Sequence, residues 1–226
     1  MFDSHHPSWG MGWFGKLPSV GDFAGRGIPQ SLQETVHGWT SSGMAAFMRM
    51  YPEEWRDAYQ LSPVWRFVIN SSIWDKSSLI GCIAPSVDRV GRCSPLMVLR
   101  PFDADNIRNV LPPKSHWLYR IDAAIRRVVT EQILVDNVFD IFEQQKDIET
   151  NCVNTADILS DLGIVDHIEP QDEWFSWPDL SVLFAERANR SFWWAEPSPK
   201  LPPKQIIHRG LPNDALFCML MSWRPN

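Results

Sequence analysis

The chain has 226 residues, of which 44% are hydrophobic and 21% are charged, and its formal net charge is -6 at pH 7. This length allows one large domain or two small ones with a substantial core, and the composition is that of an ordinary globular protein. The negative net charge argues against nucleic acid and anionic lipid as partners, although it leaves room for a local basic patch. No apolar run approaches the roughly 20 residues of a membrane helix, and the N-terminal residues lack the features of a signal peptide. We therefore expect no membrane insertion.

Glycines alternate with tryptophan and phenylalanine over residues 9–16, which indicates an opening strand. Ser31 and Glu34 have the spacing of a capping box, and apolar residues at helical spacing predict a helix over residues 31–50. Turn formers and short apolar runs predict the other elements of the first half: a turn at 17–23, a short helix at 53–59, and strands at 63–69, 79–84 and 96–99.

The loop between the last two of these strands, residues 85–95, is here called the central loop. It contains Asp88, Arg89 and Arg92 together with Pro85, Pro95 and Gly91. Gly91 can adopt a positive φ without steric cost, and Asp88 can accept backbone N–H groups or pair with an arginine. One interpretation is a structural loop whose charges hold its own backbone. The other is a surface loop that a partner recognises, because interaction residues concentrate on loops held by a rigid scaffold.

The second half begins after the prolines at 112 and 113. A broad apolar stripe predicts one long helix over residues 116–145 that packs on a sheet. Further short elements follow: a helix at 154–163, strands at 180–184, 191–194 and 204–208, and a closing helix at 213–221. The pattern predicts an α/β or α+β fold with a mixed, largely antiparallel sheet flanked by helices. We expect a single domain over 1–226, with a subdivision near 111 into residues 9–110 and 111–226.

Two amino-acid types add constraints. Cys82 and Cys93 flank the central loop and can face each other across a hairpin, but without a secretion signal reduced buried thiols are favoured. The twelve tryptophans are unusual. Most must serve the core, and the excess also allows an aromatic interaction surface, since Trp and Arg are enriched at interface hot spots.

The sequence carries no recognised catalytic or metal-binding motif. The histidines form no H-E-x-x-H or Cys/His pattern, no serine lies in G-x-S-x-G, and the glycines lack P-loop spacing. We expect no cofactor and no metal. The alternative is a metal- or Asp-dependent hydrolase or phosphatase in which Asp22 and Asp88 approach each other and share an arginine or a metal ion.

Several residue strings coincide with one family. Residues 12–23 (GWFGKLPSVGDF) resemble the opening motif of the TagF (ImpM) family of type VI secretion-associated proteins, and residues 85–96 match a second long motif. Shorter matches support the resemblance: Arg26, Pro29, Trp39, residues 63–67, Trp193, Trp194 and residues 210–212. The resemblance covers nearly the whole chain except the first eight or so residues.

This resemblance implies a bacterial, cytoplasmic, non-enzymatic repressor of type VI secretion assembly. It implies post-translational action in which the protein binds and sequesters a forkhead-associated (FHA) domain scaffold. It also implies a sheet flanked by helices that is partly like longin-type folds. Some relatives are fused to a serine/threonine phosphatase domain; we expect none here, because the sequence leaves no room for one and carries no phosphatase metal motif.

Two segments are candidates for the partner-binding surface. The phosphothreonine pocket of an FHA domain favours an acidic or phosphorylated ligand, so the acidic residues 166–173 are one candidate; its site residues are Asp172, Glu173, Trp174 and Trp177. The competing hypothesis places the contact at two loops, through Asp22, Arg26, Asp88, Arg89 and Arg92.

Overall fold

The computed structural model describes residues 9–104, 107, 117–145, 184, 189–195 and 204–222. The described strands are β1 Gly12–Lys16, β2 Phe23–Arg26, β3 Trp65–Ile69, β4 Ser78–Ala84, β5 Leu96–Phe102, β6 Arg190–Ala195 and β7 Lys204–Arg209. The helices whose bounds lie within the described residues are α1 Gln30–Met50, α2 Trp55–Leu61, α3 Trp117–Thr130, α4 Val135–Glu143 and α5 Asp214–Met221.

The seven strands form one sheet in the order β2-β1-β5-β4-β3-β6-β7, and every neighbouring pair is antiparallel. β4 and β5 pair from Ser78 opposite Phe102 to Ala84 opposite Leu96, so the central loop closes a hairpin as predicted. The α+β fold with an antiparallel sheet flanked by helices is confirmed.

Side chains alternate between the two faces of the sheet, because successive residues of a strand point in opposite directions. Trp65 and Phe67 of β3 pack with α1, α2 and α5 on one face. Val68 packs with α3 and α4 on the other face, among the side chains of β4 and β5. The first face packs tightly: a Cβ added at Gly43 of α1 would lie 2.2 Å from the ring of Phe217 of α5. The sheet is therefore the middle of three layers.

Most tryptophans serve these two cores, as the sequence predicts. Six are buried: Trp13, Trp39, Trp65, Trp117, Trp193 and Trp194. Three more are partly buried against a core: Trp9, Trp55 and Trp74. The remaining three, Trp174, Trp177 and Trp223, lie outside the described residues, and so the aromatic interaction surface stays a prediction.

The prediction of one long helix over 116–145 is wrong, because the helix is interrupted between Thr130 and Val135. Leu134 is extended (φ -61°, ψ 137°), and its side chain is 68% exposed. In a straight helix, side chains seven residues apart are rotated by about 20° around the helix axis. An apolar stripe with that spacing therefore turns gradually away from the sheet. The interruption lets Val128 of α3 and Val138 of α4 reach the same core.

The start of α1 also differs from the sequence prediction. The helix begins at Gln30 after Pro29, which makes no side-chain capping bond, so Ser31 already lies inside the first turn and cannot form the capping box. Gln30 instead donates a 3.0 Å hydrogen bond to Glu34. Residues 23–26, which the sequence analysis did not assign to a strand, form β2 at the edge of the sheet.

Other predictions have mixed outcomes. Cys82, Cys93 and Cys218 are free thiols, and Cys82 packs in one core whereas Cys93 packs against the other, so these two do not face each other.

The helix predicted at 154–163 lies outside the described residues, as does all but Phe184 of the strand predicted at 180–184. The domain subdivision near 111 stays a prediction. Across the described ranges, no helix combines the length and apolarity needed to cross a membrane.

Candidate interaction site around the central loop

The carboxylate of Asp88 lies at the centre of the central loop and is fully buried. One oxygen accepts hydrogen bonds from Lys16 Nζ at 2.8 Å and from Arg92 Nε at 2.7 Å. The other oxygen accepts the backbone N–H groups of Val90 at 3.0 Å and of Arg92 at 2.9 Å. The backbone N–H of Asp88 also donates to Arg92 O at 3.0 Å. A single side chain therefore organises the fold of residues 88–92.

These contacts determine the charge state of Asp88. Burial by itself raises the pKa of a carboxyl group, because it disfavours the ionised form. The hydrogen bonds from Lys16, from the backbone and side chain of Arg92, and from the backbone of Val90 outweigh burial and hold the pKa of Asp88 well below its usual range. Asp88 is therefore an anion at neutral pH, and each of its oxygens accepts two hydrogen bonds.

Two neighbouring segments fix the position of the central loop. On the side of β1, Arg89 N donates to Val20 O at 2.8 Å, the guanidinium of Arg92 donates to Gly21 O, and Ser86 Oγ donates to Lys16 O at 2.8 Å. On the side of α2, the buried hydroxyl of Tyr59 donates to Ser86 O at 3.0 Å and accepts from Ser86 N at 2.9 Å. The loop is thus held from both sides, as the structural interpretation requires.

The outer surface of the same loop is exposed. Arg89 is exposed, Val90 is 68% exposed, and the side chain of Arg92 is 60% exposed. Gly91 adopts the positive φ of 82° that its sequence context predicts. From α2, the guanidinium of Arg56 donates to Gly91 O at 3.2 Å. The buried carboxylate thus supports a surface that carries three arginines.

Asp22 and Arg26 lie in separate environments. Asp22 is exposed, and its carboxylate accepts the N–H of Phe23 at 2.8 Å. Arg92 donates to the carbonyl of Gly21, the residue before Asp22, so the structure provides no support for an arginine shared by the Asp22 and Asp88 carboxylates. Arg26, in β2, stacks on Phe139 of α4 with its guanidinium carbon 4.5 Å from the ring centre.

The second candidate segment, residues 166–173, lies outside the residues that the structure describes. The same is true of its site residues Asp172, Glu173, Trp174 and Trp177. Within the described ranges, no group of three or more His, Cys, Asp or Glu side chains is arranged to hold a metal ion.

Comparison with known proteins places the chain in a family. The sequence model described as "TagF N-terminal domain, Type VI secretion system-associated" matches residues 12–144, which is more than half of the chain and includes the whole central loop. The chain belongs to the TagF family. No curated protein gives a significant match to the sequence.

The TagF-family chain is similar over most of its length to solved structures, among them the following one. The crystal structure of PA0076 from Pseudomonas aeruginosa PAO1 superposes with a TM-score of 0.72 at 24% sequence identity, and the match covers 94% of each chain. At this identity the likeness establishes a shared fold and nothing further. The family match makes this chain a type VI secretion-associated protein.

Sequence reasoning missed a second buried charge cluster in this TagF-family chain. On the opposite side of the sheet from α1, Arg66 of β3 forms an ion pair with Asp122 of α3 at 3.1 Å. Asp122 also pairs with Arg126 one turn later, and the guanidinium of Arg66 lies 4.3 Å from the ring centre of Tyr119. The available signal was the position of Asp122, four residues after Leu118, within the stripe that faces the sheet.

Proposed function

We propose that this chain is a post-translational negative regulator of type VI secretion assembly, which acts in the cytoplasm by binding and sequestering an FHA-domain scaffold protein. Membership of the TagF family supports the link to type VI secretion. The proposed action needs a stable surface that another protein can recognise, and it needs no bond-breaking chemistry.

The geometry of Asp88 carries this proposal. Both of its oxygens are occupied by donors from the loop itself and from Lys16, so a metal ion or a substrate would have to displace a buried ammonium group or the loop backbone. A general acid or base functions best with a pKa near the working pH, whereas the pKa of Asp88 is lowered. This arrangement favours a binding loop over the alternative, a hydrolase that uses Asp22 and Asp88.

The amount of protein needed for repression tests the proposal. A sequestering protein should repress secretion only when its cellular level approaches that of the scaffold, because each molecule occupies one partner. We expect secretion, measured by release of a secreted component, to fall in proportion to the ratio of the two proteins. Repression at trace levels that is abolished by the conservative change Asp22→Asn would contradict the proposal and favour an enzyme.

The acidic segment of residues 166–173 remains a separate hypothesis for the contact. If it engages the FHA domain, the double change Asp172→Lys with Glu173→Lys should weaken capture of the purified scaffold by the immobilised chain. Replacing Trp174 and Trp177 by alanine would test the aromatic part of the same segment. Unchanged capture by both variants would remove this segment from the contact surface.

A further inference from the structure

We propose that the exposed end of the central loop binds an acidic segment of the scaffold protein through Arg56, Arg89 and Arg92, with Val90 at the centre of the contact. This inference rests on the proposed function and specifies which part of the chain makes the contact. Asp88 acts as a positioning residue that holds these side chains and does not touch the partner.

Arg56 reaches the central loop from α2 although it is distant in the sequence, and the guanidinium groups of Arg89 and Arg92 both lie at Gly21. Arg56 donates to Gly91 O, between the two loop arginines, and its guanidinium carbon lies 4.7 Å from the ring centre of Trp55. Arg92 donates to the carbonyl of Gly21. The guanidinium of Arg89 lies 3.5 Å from the position that a Cβ of Gly21 would occupy. Arg89 and Arg92 therefore flank the same glycine.

This cluster is positively charged in a chain whose net charge is -6. Lys16 and Arg92 both contact the Asp88 carboxylate, so the single buried anion is already compensated. The exposed acid of the adjoining turn is Asp22, so the loop side of this surface, with Arg89 and Arg92, keeps a net positive charge, whereas the exposed acids Glu53, Glu54 and Asp57 flank Arg56 in the chain. Opposite potentials across an interface accelerate encounter and select the partner, and guanidinium groups match the geometry of carboxylates and phosphates. The surface therefore fits an acidic segment.

The loop is also ordered before any partner arrives. Four hydrogen bonds to the Asp88 carboxylate and the left-handed conformation of Gly91 hold residues 88–92 in one shape. A preorganised loop loses little conformational entropy on binding. Val90 adds an exposed apolar side chain among the arginines, and apolar contact at the centre with charge around it is the usual anatomy of an interface.

The test compares three variants of the full chain for binding to the purified FHA-domain scaffold. Arg89→Glu reverses one charge of the cluster, and Val90→Asp adds a negative charge at its centre. Arg127→Glu is the matched control, because Arg127 is an arginine with a 60% exposed side chain on α3. All three positions are exposed, so we expect the melting temperatures to stay close to that of the unchanged protein.

If the inference holds, Arg89→Glu and Val90→Asp each weaken binding about tenfold or more, and Arg127→Glu has little effect. Added salt should weaken binding of the unchanged protein more than that of Arg89→Glu, because salt screens exposed charges. Normal binding by both loop variants would overturn this inference and leave the proposed function standing. Absence of binding by the unchanged protein would overturn the proposed function and this inference with it.

Discussion

Asp88 and Asp122 are two buried carboxylates with similar partners and different structural roles. Each pairs with one buried cation, Lys16 or Arg66, and with one arginine four residues later whose side chain is more than half exposed. Asp88 also accepts two backbone N–H groups, whereas the ion pair of Asp122 with Arg66 connects α3 to the sheet. The comparison shows that the role of a buried carboxylate depends on which groups donate hydrogen bonds to it. Asp88 shapes a surface loop, and Asp122 fixes a helix to a strand.

The largest expected effect comes from deleting each carboxylate. Removing one partner of a buried ion pair leaves the other charge uncompensated and costs about 3–5 kcal/mol. We expect Asp88→Ala to lie at the upper end of this range, because it also removes the acceptor for the backbone of Val90 and Arg92. Asp122→Ala should cost less, since alanine has a higher helix propensity than aspartate. Urea unfolding of both variants measures the difference in the free energy of unfolding.

The same pair of variants separates the two roles in binding. Partial loss of structure around residues 88–92 should weaken scaffold binding in Asp88→Ala even at temperatures where the protein is folded. Asp122→Ala should leave binding unchanged under those conditions. Equal losses of stability with equal losses of binding would mean that the two carboxylates do not differ in the way described above.

Replacing whole ion pairs sharpens the contrast. A buried pair exchanged for apolar residues of similar volume is often neutral in stability. We expect Arg66→Met with Asp122→Leu to recover much of the stability lost in Asp122→Ala. Lys16→Met with Asp88→Leu should not recover it, because two backbone N–H groups lose their acceptor at about 1–3 kcal/mol each when they are shielded from water. The test compares the urea unfolding midpoint of each double variant with that of the corresponding alanine variant. Recovery at both sites, or at neither, would contradict the expected difference.

The two clusters also show what the sequence can predict. Asp88 was identifiable because its partner Arg92 and the glycine that allows the turn all lie within four residues, between two recognisable strands. Asp122 lies in a helical stripe whose buried partner, Arg66, is on a strand 56 positions earlier in the printed sequence. Local patterns do not record such a pairing, because it depends on how the helix docks on the sheet.

The same limit applies to the surface of the central loop. The sequence singled out Arg89 and Arg92 but not Arg56, which reaches Gly91 only because α2 packs beside the loop. The sequence also left Asp22 and Asp88 as a potential pair, because the position of a residue near a turn does not show where its side chain points. The sheet itself was largely predictable, because apolar runs bounded by turn formers identify strands. The edge strand β2 was not, because its four residues, FAGR, are mostly small or polar.

Lowering the pH should also reveal how much the ionised carboxylate of Asp88 contributes to stability. The pKa of Asp88 is lower in the folded state than in the unfolded state, so the unfolded state binds the proton more readily. The stabilisation is fully present above the ordinary aspartate pKa of about 3.9 and is lost as the pH falls from there through the folded-state pKa. By pH 3 the loss from this group is on the order of 1 kcal/mol.

The comparison that isolates this effect is between the unchanged protein and Asp88→Asn. Urea unfolding from pH 7 to pH 3 should show a smaller decline for Asp88→Asn, although that variant starts from a lower stability at pH 7. Other carboxylates contribute equally to both proteins and cancel in the difference. Parallel declines would show that Asp88 is not held as an anion by its neighbours.

The smallest expected effect concerns the two arginines that follow the buried carboxylates. The side chains of Arg92 and Arg126 are 60% and 53% exposed, and solvent-exposed ion pairs contribute only about 0–1 kcal/mol. We expect Arg126→Ala to lie near the lower bound. Arg92→Ala should lie near the upper bound, because the same guanidinium also donates to Gly21 O and so joins the central loop to the turn after β1. Thermal unfolding of the two variants measures the ranking, and it would be contradicted if Arg126→Ala were the more destabilised, since Arg92 would then contribute nothing beyond an ordinary surface pair.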